Sequence, residues 1–373
     1  MSSPDPSSPP RLQSLDALRG FDMLWIIGAD AVSGSLLGLK AGPLVDAVGR
    51  EMGHSAWEGF TFYDLIFPLF VFIMGVSIAL SLDKLVQRQG RAGAVRRVLK
   101  RSLLLYVLGL LFYGGFSAGI AHIRLLGVLQ RLALCYLATS LLSLWFRPRI
   151  LVATALGLLA GYWALLRFVP VPGFGAGDLA EGHNLTNWID ARYLPLHKWH
   201  GDHDPEGLLS TLPAVASCLA GFAAGAFLRD SRRPPAATAR LLAMAGLACL
   251  AGGLLWSLEF PLIKKLWTSS FALVAAGWSL LLLAGFHYLI EGRGITRWAR
   301  PFLWIGSNAL TIYLISHLVD FRGLSARFVG GEVGAALDRL WPGLDGLVMA
   351  ATGIGLCVLI CRFLYDRKIF IRL

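Results

Sequence analysis

Apolar runs of about 20 residues, separated by short clusters of charged and turn-forming residues, recur along the whole chain. An α-helix rises 1.5 Å per residue, so a run of that length matches the hydrocarbon thickness of a bilayer. Counted this way, the runs fall at roughly 16–38, 61–82, 102–119, 125–146, 150–169, 209–228, 241–259, 269–290, 302–320 and 345–363. In hydrocarbon each segment must satisfy its own backbone hydrogen bonds. The pattern therefore predicts an all-α fold, a polytopic membrane helix bundle with about ten transmembrane helices. Composition agrees: 56% of the 373 residues are hydrophobic and only 15% charged. The mean hydropathy of +0.62 lies above the range of water-soluble domains. The opening "MSSPDPSSPPRL" is polar and proline-rich, so residues 1–14 read as a disordered cytoplasmic tail and 15–373 as a single transmembrane domain.

Charge adds orientation. The basic clusters "DKLVQRQGRAGAVRRVLKR", "RPR", "RDSRRPPAATAR", "EGRGITRWAR" and "RKIFIRL" all fall on one side when the N-terminus is inside. By that count roughly 21 of the 34 basic residues lie inside and roughly 10 outside, the sense of the positive-inside rule. Both termini are then cytoplasmic. The net charge of +11 is accounted for by topology, and no nucleic-acid-binding motif accompanies it. All five cysteines sit in apolar segments as small packing residues, without a metal-ligand spacing.

Polar groups inside spans are costly, so they mark partners or a wet cavity. Asp16, Arg19 and Asp22 share a face of the first helix and suit an ion-paired ladder, and Asp30 lies on the same face farther out. Asp64, Arg131, Asn308, Ser316 and His317 add polar groups from other helices, giving the bundle a polar interior. His54 and Trp57 stand just ahead of the second span on the outer side. The outer loop at 171–208 holds Trp188, Trp199 and four histidines, which suit a carbohydrate or other polar ligand. Its "HKWHGDH" lacks the spacing of a structural zinc site, so no metal is expected.

The blocks "RLQSLDALRGFDMLWII", "GHSAWEGFTFYDLIFPLFVFIMGVSI", "GVLQRLALCYL", "DPEGLLSTLPAVASCLAGFAAG" and "PFLWIGSNALTIYL" together resemble the heparan-alpha-glucosaminide N-acetyltransferase family and its bacterial relatives. The resemblance runs in order over nearly the whole chain. It implies a membrane enzyme that moves acetyl from cytosolic acetyl-CoA to the amino group of a glucosamine-type sugar across the membrane. It also implies the inner membrane of a bacterium as location. In that family the active histidine lies in a His-x-x-Trp-x-Gly motif, matched here by His54, Trp57 and Gly59. A family Asn falls on Asp30, where this chain departs from the pattern.

Acetyl transfer to an amine needs a base for the amine proton and a donor for the tetrahedral oxyanion. His54 suits the base, since imidazole exchanges its proton near neutral pH, and Asp30 suits orienting it or holding the substrate ammonium. Direct transfer and a covalent acetyl-histidine both satisfy these requirements. Arg131 and the inner cluster Arg96, Arg97, Lys100 and Arg101 suit the phosphates of acetyl-CoA. The inner cluster equally suits anionic lipid. Asp204 and Glu206, read as opening the sixth span, either hold the amino sugar or cap the helix. Asn308 and Tyr313 match the family's ninth-helix block and are expected to line the cavity. Two other functions share these features: a transporter for a sugar or acyl donor, and an O-acyltransferase acting on a glycan or lipid. Glycine-rich helix faces are compatible with a homodimer.

Overall fold

The computed structural model describes residues 12–117 and 119–370, and among them it contains helices and isolated β-bridges but no strand. Fourteen α-helices follow in order. They are α1 (Gln13–Gly38), α2 (Pro43–Glu51), α3 (Phe62–Phe112), α4 (Val128–Trp145), α5 (Pro148–Phe168), α6 (Leu185–Tyr193) and α7 (Thr211–Asp230). The second half contains α8 (Pro235–Ser257), α9 (Ser269–His287), α10 (Arg300–Gly306), α11 (Ala309–Leu318), α12 (Phe321–Val329), α13 (Gly331–Leu340) and α14 (Leu344–Asp366). Of these, α1, α3, α4, α5, α7, α8, α9 (with the turn to Gly292) and α14 are long and apolar enough to cross a membrane. The protein is an integral membrane helix bundle.

The hydropathy count and the structure agree on every run, but two runs are built differently. The second and third run together through one 51-residue element, α3, bent at Gly90. Gly90 has φ +67°, which a residue without a Cβ adopts at little cost, so the chain reverses without a loop. Its first leg, from Phe62 to the bend, is about 40 Å long at helical rise. The ninth run breaks at Ser307–Asn308 into α10 and α11. The N-terminal tail lies outside the described residues up to residue 11, and α1 begins at Gln13, two residues before the expected boundary.

With lipid as apolar as leucine, helices in a bilayer associate where small residues let backbones meet. Three crossings use this device. A Cβ on Gly20 would stand 1.8 Å from the Phe302 carbonyl oxygen and one on Gly306 1.9 Å from that of Asp16, which welds α1 to α10. A Cβ on Gly75 would meet the Cys218 carbonyl oxygen at 2.0 Å, and one on Gly221 that of Phe72 at 2.0 Å, which joins α3 to α7. Gly246 and Gly277 do the same for α8 and α9. The apolar core follows these contacts. One cluster joins α3, α4, α5, α7 and α9 around Phe222, Trp267 and Phe271, and a second joins α1, α3, α7 and α9 around Leu18, Leu69, Phe72 and Leu283.

The polar ladder on α1 forms at one rung: Arg19 pairs with Asp16 at 3.0 Å and donates to Ser77 Oγ of α3 at 2.9 Å. Both oxygens of Asp22 are buried without a hydrogen-bond partner among the described residues. Substituting alanine at Gly221 is expected to cost about 1–3 kcal/mol or more by forcing α3 from α7, whereas alanine at Gly90, with open space around it, costs about 1 kcal/mol. Thermal unfolding followed by tryptophan fluorescence in detergent distinguishes the two.

Candidate active site

The N-terminal end of α3 organises the site. Thr61 caps the helix by accepting from the Asp64 N–H at 3.3 Å, and the Asp64 carboxylate accepts in return from the Thr61 N–H at 3.3 Å. The same carboxylate reaches back to the preceding turn. Its Oδ2 accepts from the Ser55 N–H at 3.2 Å and hydroxyl at 2.7 Å, and its Oδ1 lies 2.9 Å from His54 Nδ1. Asp64 is fully buried, while the His54 side chain is 52% exposed. One acid thus builds the helix end and orients the imidazole.

Two further groups fix the ring. Tyr63 stacks on it, with centroids 4.4 Å apart and planes 13° off parallel, and the Tyr63 hydroxyl donates to Asp30 Oδ2 at 3.2 Å. Lys264 Nζ lies 2.9 Å from His54 Nδ1 and 3.3 Å from Asp64 Oδ1. The segment between α8 and α9 carries this lysine and is clipped to the His54 turn by an antiparallel bridge between Glu58 and Ile263, with Gly59 N–H donating to the Leu262 carbonyl at 2.8 Å. The lysine is half-buried; burial lowers its proton affinity, and Asp64, Glu206 and Asp30 partly offset this. With Nδ1 engaged, His54 Nε2 makes no hydrogen bond among the described residues.

These groups line one end of a 510 Å³ cavity. Its walls run through Met23, Ile26, Ile66, Phe67, Phe70 and Trp267 to a second polar cluster at Arg131 and Glu206. Arg131, one turn into α4, is fully buried. It donates to Ser210 Oγ and to the Gly207 carbonyl at 3.3 Å, and its guanidinium lies over the Trp267 ring at 5.1 Å. Among the described residues its Nε and Nη1 have no partner. A buried cation with two idle donors at a cavity wall is suited to an anion or a carbonyl oxygen.

Beside it, Arg124 is clamped between the Tyr113 ring at 4.5 Å and the Trp199 ring at 4.9 Å. It holds Asp204 with two bonds, at 2.8 and 2.6 Å, and Glu206 at 2.5 Å. Burial alone would raise both acids. The bidentate guanidinium outweighs burial at Asp204 and holds it below the usual carboxylate range, whereas Glu206 stays above it. The loop that carries these acids is anchored by Asp190 of α6, whose Oδ1 accepts from the Leu208 N–H at 2.9 Å.

Of the residues singled out from sequence, His54, Asp30, Trp57, Arg131, Glu206 and Tyr313 meet around this cavity. The group on His54 Nδ1 is Asp64 rather than Asp30, which contacts the Tyr63 hydroxyl instead. Asp204 and Glu206 do not open a helix, since α7 starts at Thr211; they neutralise Arg124. Asn308 does not line the cavity, and its amide donates to the Ile369 carbonyl at 3.0 Å. Arg96, Arg97, Lys100 and Arg101 are exposed in the first three turns after the Gly90 bend and do not line it either. The loop at 171–208 contributes Trp199 and His200, while His183 and His203 pair with Asp178 and Asp202. No metal-holding cluster occurs among the described residues. Sequence reasoning missed Tyr63, Arg124 and Lys264 and did not give Asp64 its role. The capping-box spacing Thr61-x-x-Asp64 was the available signal for Asp64; for Lys264 there was none beyond two charges in "PLIKKLW".

A cavity with polar ends inside a bundle of spanning helices, with an oriented imidazole at one of them, is the arrangement of a membrane-embedded enzyme. The sequence pattern that defines the acyltransferase domain family matches residues 12–362, and the chain belongs to that family. It is 26% identical to the human heparan-alpha-glucosaminide N-acetyltransferase over 421 residues, which cover 97% of this chain and 60% of that protein. It is 26% identical to the mouse protein of the same name over 436 residues, covering 98% and 61%. The chain thus spans about three fifths of the length of these relatives. The resemblance drawn from the sequence blocks and the all-α membrane fold are both borne out.

Replacing Arg124 with Gln is expected to destabilise the protein by about 3–5 kcal/mol, because it leaves Asp204 and Glu206 buried against no cation. Unfolding midpoints in detergent, compared with an exposed-charge control such as Arg88→Gln, check this.

Proposed function

We propose that this acyltransferase moves an acetyl group from acetyl-CoA, reached from the cytosolic side, to the amino group of a glucosamine-type sugar at the outer side. The observation that carries the proposal is His54, oriented through Nδ1 by a buried carboxylate, with Nε2 left for a substrate at the outer end of the cavity.

The chemistry follows from the groups present. An amine attacks the thioester carbonyl; a C–N bond forms, the C–S bond breaks, and the amine loses a proton. His54 Nε2 takes that proton, and the imidazolium returns it to the departing thiolate, so charge and atoms balance. Asp64 holds the ring's orientation and stabilises its transient positive charge, as the third member of a catalytic triad does. Asp30 carries a carboxylate at the same wall, suited to gathering an ammonium group from solution. Trp57 at the mouth offers an aromatic face to a sugar ring, its indole N–H being engaged by the Leu179 carbonyl at 3.0 Å. The apolar wall between the two polar ends suits a pantetheine arm, and the idle donors of Arg131 suit a carbonyl or phosphate oxygen of the donor. Arg97, Lys100 and Arg101, at the far end of the helix pair, suit the nucleotide phosphates. The membrane concerned is the inner membrane of a bacterium, with both termini in the cytoplasm.

The test uses purified full-length protein, labelled acetyl-CoA and glucosamine. His54→Ala is expected to lower the rate of N-acetylglucosamine formation by about 10²- to 10⁴-fold, and Asp30→Ala by less. Wild-type activity surviving in His54→Ala would overturn the assignment. An O-acetylated product would keep the enzyme class and change the acceptor.

A further inference from the structure

The contacts of His54 are unusual in one respect: its Nδ1 has a carboxylate and an ammonium equally close, Asp64 Oδ1 and Lys264 Nζ, both at 2.9 Å. A ring nitrogen has a single site in the ring plane. It donates to Asp64 as N–H or accepts from Lys264 as a lone pair, and it cannot do both. A buried carboxylate by itself favours the imidazolium, which would leave His54 protonated and useless as a base. The lysine acts in the opposite sense, since an ammonium within hydrogen-bond range of the ring opposes a second positive charge there.

On that balance we propose that Lys264 is a positioning residue that keeps the His54 imidazole neutral, with Nδ1–H turned to Asp64 and the Nε2 lone pair turned to the cavity. The lysine does not touch the reacting atoms. It occupies the remaining valence of Asp64 Oδ1 at 3.3 Å, so the carboxylate is shared between the two and its pull on the ring is divided. When His54 takes the amine proton, the same ammonium disfavours the imidazolium and promotes release of that proton to the thiolate, so turnover does not stall in the protonated form. This role rests on the proposed base function of His54.

Structure elsewhere holds the lysine to this task. Trp267, fully buried three residues on, sits at φ +52°, a left-handed backbone region that a bulky residue adopts only under strain. Trp267 N–H donates to the Lys264 carbonyl at 2.9 Å, Thr268 N–H donates to the Ile263 carbonyl at 3.2 Å, and the Thr268 hydroxyl accepts from the Ile263 N–H at 3.1 Å. A short turn is thereby wound tightly around the residue that presents the ammonium. The charged and titratable groups facing Lys264 are His54 from the preceding turn, Tyr63 and Asp64 from α3, Asp30 from α1 and Glu206 from the loop before α7. Among the described residues Lys264 is the cation within hydrogen-bond distance of His54; Lys265, next in the chain and on the same cavity wall, lies over the Trp57 ring at 5.4 Å and pairs with Glu181 at 2.9 Å.

The experiment is ¹⁵N NMR of histidine-labelled full-length protein in nanodiscs between pH 5 and 9, with the His54 signals assigned by their loss in His54→Gln. In wild type the neutral ring is expected as the Nδ1–H tautomer at pH 7.5; an Nε2–H tautomer or an imidazolium there would overturn the proposal without any variant. In Lys264→Met the pH of half-protonation is expected to rise by about one unit or more, and in Lys264→Arg to stay near wild type. The acid limb of the acetyl-transfer profile should move by the same amount in Lys264→Met, with the high-pH rate reduced less than tenfold. A midpoint unchanged in folded Lys264→Met, or a rate lowered equally at every pH, would sink the idea. Should the methionine variant not fold, the wild-type tautomer and the Lys264→Gln midpoint decide. The NMR readout needs no turnover: a shifted midpoint in a protein that makes no acetyl product would retain this role and reject the proposed function instead.

Discussion

The half of this protein that holds the His54 end of the cavity depends on one carboxylate. Asp64 is buried where a bare charge would be prohibitive, and it is tolerated because five donors converge on it: the backbone N–H groups of Ser55 and Thr61, the Ser55 hydroxyl, His54 and Lys264. Through the first three it winds the start of α3 and fixes the turn ahead of it. Through the last two it sets the imidazole at the cavity mouth and ties in the segment between α8 and α9. A structural cap and an active-site orienter are here the same atoms.

The rest of the bundle holds that point in place. α3 is braced against α7 by glycines that allow backbone contact, and α7 is preceded by the loop whose acids neutralise Arg124. Arg131 hangs from that loop by Ser210 and Gly207 and faces the cavity with donors to spare. The two polar ends of the cavity are therefore positioned by the same pair of helices, and the apolar wall between them is built from side chains of α1, α3 and α4 together with Trp267.

Much of the fold was legible because hydropathy is a one-dimensional signal: every apolar run maps to a helix or pair of helices. The bend at Gly90 was not, since a glycine among charged residues reads equally as a loop. The break at Asn308 was hidden by an unbroken apolar run. His54 stood out by chemistry, a titratable ring with no reason to flank a span, and by the motif around it. Its neighbours did not, for a physical reason. Lys264 is 210 residues away and meets His54 only through a bridge between two turns, and Arg124 finds its acids 80 and 82 residues later. Asp204 and Glu206 looked like a helix start because acids favour such positions, yet tertiary pairing claims them first. Arg97 and Lys100 carry the right charge for phosphate, but they stand exposed outside the cavity, in the turns that follow the Gly90 bend.

The cap formed by Thr61 and Asp64 has a kinetic side as well. The carboxylate that closes the first turn of α3 is shared with a ring whose charge changes in every proposed catalytic cycle. As the imidazole gains a proton it draws the carboxylate more strongly, and the first turn of the helix feels the difference. Breathing of that helix end and proton traffic at the ring are thermodynamically linked. The 51-residue element α3 thus carries, at its N-terminal tip, a mechanical record of whether His54 is charged.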